Sequence, residues 1–180
     1  MSSVSAIGAL PPVITLDDVA ALAAADEHHR YELSREGVLL VMPPPRPEHA
    51  VTVARLIPWF HSHGYGPEQV IPDCGIDVGG GRQPDLTIWA KGCPPRSARS
   101  VYAGVDGLLL VVEVVSPETE ATDRVIKRDE YHAAGVPRYW IVGNDKANTV
   151  QMLARAADGY RVEREVALAR LLTEPAPVFV

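Results

Sequence analysis

The sequence predicts an α/β fold in which a mixed central β-sheet is flanked by helices. The first observation behind this prediction is Leu108–Val115, an aliphatic run rich in β-branched residues that is typical of a buried inner strand. The second is the order of the segments that follow it, because a helical stretch at 122–134 and an apolar run at 139–142 complete a strand–helix–strand unit. The third is a pair of hairpin patterns, at 30–42 and at 150–163, which add further strands.

The first half of the chain predicts two helices and a hairpin. Thr15 is a suitable N-cap with Asp18 three residues later, a pattern that indicates the start of a helix. Two short strands at 30–33 and 38–42 are joined by a turn-like segment at 34–37. The proline-rich segment 43–47 predicts extended backbone, and the helix expected over about 48–63 should be kinked or shortened by Pro58.

The second half alternates strands, loops and one long helix. Short strands with glycine-rich turns are expected over 69–90, including a turn at Gly79–Gly81, and a loop is expected over 91–99. The strand at 108–115 ends at Ser116-Pro117, and the helix at 122–134 is stopped by Gly135 and Pro137. A strand at 139–142 follows, and strands at 150–153 and 160–163 make a closing hairpin.

Bulk properties restrict the class of protein. With 180 residues, of which 47% are hydrophobic, the chain predicts a flexible tail over 1–12 and one domain over 13–180. The net charge of −6 argues against a broadly basic nucleic-acid-binding surface, but it allows a local basic groove or an acidic, cation-binding pocket. Isolated Cys74 and Cys93 and the lack of a membrane-spanning apolar run predict a cytoplasmic protein with no membrane association.

The aliphatic run at 108–115 contains one carboxylate, Glu113. Burying an unpaired polar group costs about 2–7 kcal/mol, and a charge costs more, so this side chain should be paired or bind a metal. Asp85 begins an earlier apolar stretch, and Lys127 lies on the helix that follows Glu113. Two carboxylates on strands could bind a divalent metal, with the Val114 carbonyl as a further ligand and Lys127 stabilising developing charge. This arrangement predicts phosphodiester chemistry.

Ordinary structural roles remain open for each of these residues. An aspartate after a proline is often a turn or capping residue, which applies to Asp85. Glu113 could form a buried ion pair with Arg124 or Arg128, and Lys127 could be a solvated lysine on a helix surface.

Several segments, taken together and in this order, resemble a known family. They are Tyr31-Glu32-Leu33 with Glu36-Gly37, Met42-Pro43-Pro44-Pro45, Pro47-Glu48-His49, Arg82-Gln83-Pro84-Asp85, Val112-Glu113-Val114-Val115-Ser116-Pro117, Asp123-Arg124 with Lys127 and Tyr131, and the stretch from Ala134 to Val142. The chain is similar in these segments to the restriction-endonuclease-like proteins of the Uma-two type, within the PD-(D/E)XK nuclease superfamily.

The resemblance implies a restriction-endonuclease-like core that binds Mg²⁺, or alternatively Mn²⁺, and cleaves DNA. Asp85 takes the place of the aspartate in the motif and Glu113 the place of the second acid, while Glu32 resembles an additional acid from an N-terminal element. The lysine that normally lies two positions after the second acid is Val115 here, and Lys127 is its expected substitute. Related nucleases often pair subunits to cut two strands, so the resemblance also implies a homodimer.

Two further residues are candidates for accessory roles. His49 could contact phosphate or assist the site, or it could be a capping or surface residue. Tyr131 lies one turn after Lys127 and could orient it, or could serve only in packing.

Three rival functions remain open at this point. One is a non-catalytic nucleic-acid-binding or regulatory protein that keeps the nuclease fold. The second is a metal-dependent hydrolase that acts on RNA or a small phosphoester. The third is a purely structural protein, which would give no reason for an acid at Glu113.

Overall fold

The computed structural model of the protein describes residues 13–26, 28–96, 101–117 and 119–179. The predicted tail at 1–12 and the end of the predicted loop at 91–99 lie outside these ranges. The division of the chain into a tail and one domain over 13–180 therefore stays a prediction. No helix in the described ranges combines the length and the apolar character needed to cross a bilayer.

Helices and strands alternate irregularly along the chain. In order they are α1 (Leu16–Ala25), β1 (Arg30–Leu33), β2 (Leu39–Met42), α2 (Pro47–Ser62), β3 (Val70–Pro72), β4 (Ile76–Asp77), β5 (Gly81–Arg82), β6 (Leu86–Trp89), β7 (Leu108–Val114), a π-helical turn (Thr122–Ile126), α3 (Lys127–Ala133), β8 (Arg138–Val142), β9 (Thr149–Ala156), β10 (Gly159–Ala167) and α4 (Leu168–Leu171).

A six-stranded sheet in the order β10-β9-β8-β7-β6-β3 forms the centre of the fold. β7 and β8 pair in parallel, while the other neighbouring strands are antiparallel. The parallel pair is joined through α3, as a crossover connection requires. The predicted α/β fold with a mixed central sheet is therefore confirmed.

The two faces of β7 pack against different helices. Leu110, Val112 and Val114 join a cluster that includes Trp59 and Phe60 of α2. The alternate residues Val111 and Val115 join a second cluster, which contains Tyr131 of α3 and Tyr139 of β8. Because side chains alternate along a strand, Glu113 shares the face of Val111 and Val115 and is directed towards α3.

A close backbone approach brings the β1–β2 hairpin next to the β4–β5 hairpin. A Cβ atom on Gly80 would lie 2.5 Å from the carbonyl oxygen of Leu33, which only glycine avoids. Gly79, with a φ of +87°, completes the predicted glycine turn. This contact places β1, which contains Glu32, beside β5, which contains Arg82.

The boundaries of several elements differ from the prediction. Pro47 begins α2 instead of ending the extended segment, since a first-turn proline loses no helical hydrogen bond. Pro58 does not shorten α2, which continues to Ser62 and buries Leu56, Trp59 and Phe60 against the sheet.

The closing hairpin and the long helix also differ in detail. β9 and β10 extend well beyond the predicted 150–153 and 160–163. Residues 161–165 of β10 are all exposed, so this part of the strand has no alternation of buried and exposed side chains. The helix expected over 122–134 begins with a π-helical turn, in which the backbone N–H of Lys127 donates to the carbonyl of Thr122. Such turns are frequent at functional sites.

Candidate active site

The first predicted acid, Asp85, lies immediately before β6 and beside β7. Leu86 is opposite Val112 in the antiparallel β6–β7 pair, and continuing this register by one residue brings Asp85 opposite Glu113. Oδ2 of Asp85 accepts a 2.7 Å hydrogen bond from the backbone N–H of Val114. The Asp85 carboxylate therefore supplies the acceptor for this β7 N–H just before β6 begins.

An arginine and a histidine contact the Asp85 carboxylate. Nη1 of Arg30 lies 3.1 Å from Oδ1, and Nε2 of His49 lies 2.9 Å from Oδ2. Burial by itself would raise the pKa of Asp85, but the hydrogen bond and charge of His49, the charge of Arg30 and the Val114 N–H hold it below its ordinary value. Asp85 is therefore an ionised, firmly held carboxylate. A simple role as a turn residue does not account for its buried position.

The second acid, Glu113, is buried on the α3 side of the sheet. Its Oε1 accepts a 3.0 Å hydrogen bond from Nζ of Lys127 and a 2.6 Å hydrogen bond from the hydroxyl of Tyr131. Burial raises the pKa of Glu113 well above its ordinary value, and the nearby charges of Asp85 and Asp123 act in the same direction, against the effect of Lys127. The charged form of Glu113 is therefore disfavoured, mainly by its burial.

Lys127 is enclosed by carboxylates. Its Nζ lies 3.0 Å from Glu113, 3.2 Å from Glu32 and 3.2 Å from Asp123. Burial alone would lower the pKa of Lys127, but the charges of Glu113, Glu32 and Asp123 raise it well above its ordinary value. The lysine thus stays protonated, and the alternative of a solvated helix lysine is wrong.

The alternative ion pairs considered for Glu113 are also wrong. Arg124 pairs with Glu120 at 3.0 Å, and Arg128 donates to the backbone carbonyl of Tyr160 at 2.6 Å. Lys127 faces the sheet instead, because its spacing from Asp123 and Tyr131 places all three on one side of the helical segment.

Glu32 extends the cluster into a buried network. Its Oε1 lies 3.2 Å from Lys127 and accepts a 2.9 Å hydrogen bond from the backbone N–H of Gln83, and its Oε2 contacts Nη1 of Arg82 at 3.0 Å. Arg82 is fully buried and also forms a two-pronged contact with Glu130 of α3. The network therefore links β1, β5 and α3 next to the candidate metal ligands Asp85 and Glu113.

The structure brings all the predicted side chains of the site into one contiguous cluster. The predicted site residues Glu32, Asp85, Glu113 and Lys127 are joined by the accessory candidates His49, which contacts Asp85, and Tyr131, which contacts Glu113. The contact that the structure gives for Val114 is its N–H to Asp85, and metal ligation by its carbonyl stays a prediction.

Four charged members of the cluster were not identified from the sequence: Arg30, Arg82, Asp123 and Glu130. Asp123 carried a usable signal, because it lies four residues before Lys127 and eight before Tyr131 on one helical face. Arg82 and Glu130 have no such local signal, since they pair with each other across 48 residues of the sequence.

The chemistry of the donor set fits a divalent cation. No three His, Cys, Asp or Glu side chains within the described ranges are arranged to hold a metal ion by themselves. Mg²⁺, however, usually binds through one or two carboxylates together with water and substrate phosphates. Asp85 and Glu113 supply two such groups, and both are buried. A metal on Asp85 would take over contacts that Arg30 and His49 make here.

Comparisons with known proteins identify the family and support the fold. A family model, Uma2, described as "Putative restriction endonuclease", matches residues 16–178. A crystal structure from Anabaena variabilis ATCC 29413, described as "a putative nuclease belonging to DUF820", is 17% identical, covers 89% of this chain and 98% of its own, and superimposes with a TM-score of 0.63. At this identity it supports the fold alone. Among curated proteins, none matches the chain.

Proposed function

Because the chain belongs to the "Putative restriction endonuclease" family Uma2, we propose that it is a nuclease that requires Mg²⁺ or Mn²⁺ and hydrolyses DNA phosphodiester bonds. The proposal is supported by the 2.7 Å hydrogen bond that joins the Asp85 carboxylate to the Val114 N–H, directly beside Glu113, and by the Lys127 ammonium 3.0 Å from Glu113. Five buried carboxylates in one cluster are costly to stability, and perturbed groups of this kind concentrate at functional sites.

Asp85 and Glu113 would hold the metal. When bound, the cation supplies positive charge that polarises the phosphate and lowers the pKa of a water molecule. In the hydrolysis, the water oxygen forms a bond to phosphorus, the ester P–O bond breaks, and the departing oxygen takes up a proton. Lys127 keeps Glu113 oriented and contributes positive charge beside the reacting phosphate, while Tyr131 fixes the same carboxylate oxygen.

The substrate and the oligomeric state are parts of the same proposal. DNA is the substrate that the family description supports best. We also propose a homodimer, by analogy with nucleases that pair subunits to cut both strands. Location in the cytoplasm is supported by Cys74 and Cys93, which are both free thiols.

The first prediction concerns the metal requirement. The protein should cut supercoiled plasmid DNA in the presence of Mg²⁺ or Mn²⁺, and EDTA should abolish the cleavage, because the two carboxylates alone cannot activate water. Gel electrophoresis of the plasmid provides the measurement. Linear DNA formed without prior accumulation of nicked circles would support a dimer, whereas nicked circles alone would argue for a monomer. Cleavage that is unchanged by EDTA would contradict the proposal.

A second candidate function is supported by the pairing of Asp85. Arg30 and His49 occupy both of its oxygens, so the protein could bind nucleic acid without cutting it. Plasmid binding without cleavage at any Mg²⁺ or Mn²⁺ concentration would favour this candidate. Competition among DNA, RNA and a mononucleotide phosphoester in the same assay separates DNA cleavage from hydrolysis of the other two substrates.

A further inference from the structure

Arg30 contacts Asp85 and Lys127 contacts Glu113, and these two cations differ in what they can still bind. The Lys127 side chain is only 5% exposed and its ammonium has three carboxylate oxygens within 3.2 Å. The contact to Glu113 is a hydrogen bond, whereas Oδ1 of Asp123 is buried without a hydrogen-bond partner. The three carboxylates nevertheless enclose the ammonium, so a substrate phosphate would have to displace one of them to reach it.

Arg30 is placed differently. It is the first residue of β1, its side chain is 19% exposed, and Nη1 contacts Oδ1 of Asp85 at 3.1 Å. Its Nη2 donates to the carbonyl of Gln83 at 2.8 Å and lies 2.9 Å from Asp73, a side chain that is 63% exposed. The arginine thus extends from the buried Asp85 carboxylate towards the surface of the molecule.

One donor of Arg30 is left over. The Nε atom is buried and has no hydrogen-bond partner. Burying an unpaired donor costs about 1–3 kcal/mol, and such atoms are rare enough to require an explanation. A guanidinium that exchanges its partner when a ligand enters would explain this unpaired donor.

We propose that Arg30 is the residue of this site that binds a phosphate of the nucleic-acid backbone, and that it moves from Asp85 to that phosphate when a metal occupies Asp85. The inference rests on the proposed function and adds a substrate-binding residue to it. A guanidinium presents a planar fork of N–H donors that matches two phosphate oxygens, which the enclosed Lys127 cannot do. Lys127 then positions Glu113 and contributes its positive charge to the site without contacting the phosphate.

This assignment predicts opposite effects on two binding reactions. Without Arg30, a metal meets no competing cation on Oδ1 of Asp85, so Arg30→Gln should bind metal more tightly than the wild type. The same variant should bind DNA more weakly, because one phosphate contact is lost. A residue that only supports the fold would weaken both reactions together with thermal stability.

The test combines calorimetry with DNA binding. Calorimetric titration with Mn²⁺ in the absence of DNA should give a smaller dissociation constant for Arg30→Gln than for the wild type. Binding of a short DNA duplex in Ca²⁺ should weaken about tenfold, and the slope of log affinity against log salt should decrease by about one. Arg30→Lys should restore most of the slope. Arg161→Gln, at an exposed arginine of β10, is the matched control and should change neither measurement.

The outcomes separate this inference from the proposed function. If the wild type cuts DNA but Arg30→Gln binds DNA with the same salt dependence as the wild type, the proposed role of Arg30 is overturned and the nuclease proposal is unaffected. If the salt dependence of DNA binding depends on Arg30 but the protein never cuts DNA, the proposed hydrolysis is overturned and the phosphate contact of Arg30 is retained. Weaker Mn²⁺ binding by Arg30→Gln, with a lower melting temperature, would show a structural role instead. A wild type that binds no duplex would overturn both.

Discussion

Replacing Asp85 by asparagine is expected to reduce metal-dependent DNA cleavage by about 10³-fold, at the upper end of the ~10²–10³-fold effects of removing one group that stabilises transition-state charge. Asparagine is nearly isosteric, and its amide oxygen can still accept the hydrogen bond from the Val114 N–H. The negative charge that would attract the metal is lost, so cleavage should fall much more than stability does. Initial rates of plasmid cleavage at saturating Mg²⁺ provide the measurement.

Two comparisons make the Asp85 result interpretable. Asp158→Asn removes a carboxylate that is 74% exposed and pairs only with surface Arg161, so its cleavage rate should equal that of the wild type. Circular dichroism should show that Asp85→Asn remains folded. The weaker contacts of an uncharged side chain with Arg30 and His49 should lower the free energy of unfolding by about 1–2 kcal/mol. Equal cleavage rates for Asp85→Asn and the wild type would rule out a catalytic role for Asp85.

Replacing Lys127 by methionine should have the largest effect on stability. The change leaves Glu32, Glu113 and Asp123 buried without the ammonium they surround, and removing one partner of a buried ion pair costs about 3–5 kcal/mol. Urea unfolding followed by fluorescence provides the measurement. Lys146→Met, at an exposed lysine, is the matched control and should stay within about 0.5 kcal/mol of the wild type.

The loss of folding stability in Lys127→Met should be larger at high pH than at low pH. The pKa of Glu113 and the pKa of Asp123 are already raised in the folded protein, chiefly by burial, and they rise further when Lys127 is removed. The folded state then binds more protons than the unfolded state, so stability decreases as pH rises through these raised pKa values. The variant should therefore recover part of its stability at acidic pH.

A double variant separates the charge effect from lost packing. Adding Glu113→Gln to Lys127→Met removes the carboxylate nearest to the missing ammonium, so the pair should be less unstable than the sum of the single changes. Additive losses, or a stability loss in Lys127→Met that is the same at every pH, would contradict the electrostatic account of this cluster.

The sequence predicts the centre of the site because its signals are local. Glu113 is recognisable as an acid within an aliphatic strand, and the family resemblance points to Lys127 on the next helix. Asp123 could have been added from its spacing to Lys127. The mixed sheet also follows from local patterns, because a strand–helix–strand unit with flanking hairpins has few compact arrangements.

The rest of the site depends on contacts between distant segments. Arg82 meets Glu130 only because the β4–β5 hairpin packs beside β1 and α3, and no periodicity in either segment encodes that approach. Arg30 meets Asp85 for the same reason. The π-helical turn at Thr122–Ile126 has no distinctive residue pattern, and residues 161–165 of β10 lack the alternation of buried and exposed side chains that would indicate the length of the closing hairpin.

The placement of Asp85 opposite Glu113 is tested most directly by soaking crystals of the protein in Mn²⁺ and calculating an anomalous difference map. The account predicts a single strong peak at about 2 Å from oxygen atoms of both carboxylates, with Arg30 moved away from Asp85. The proposed metal site would be contradicted if saturating Mn²⁺ gave no anomalous peak between the two acids and Arg30 and His49 still contacted Asp85.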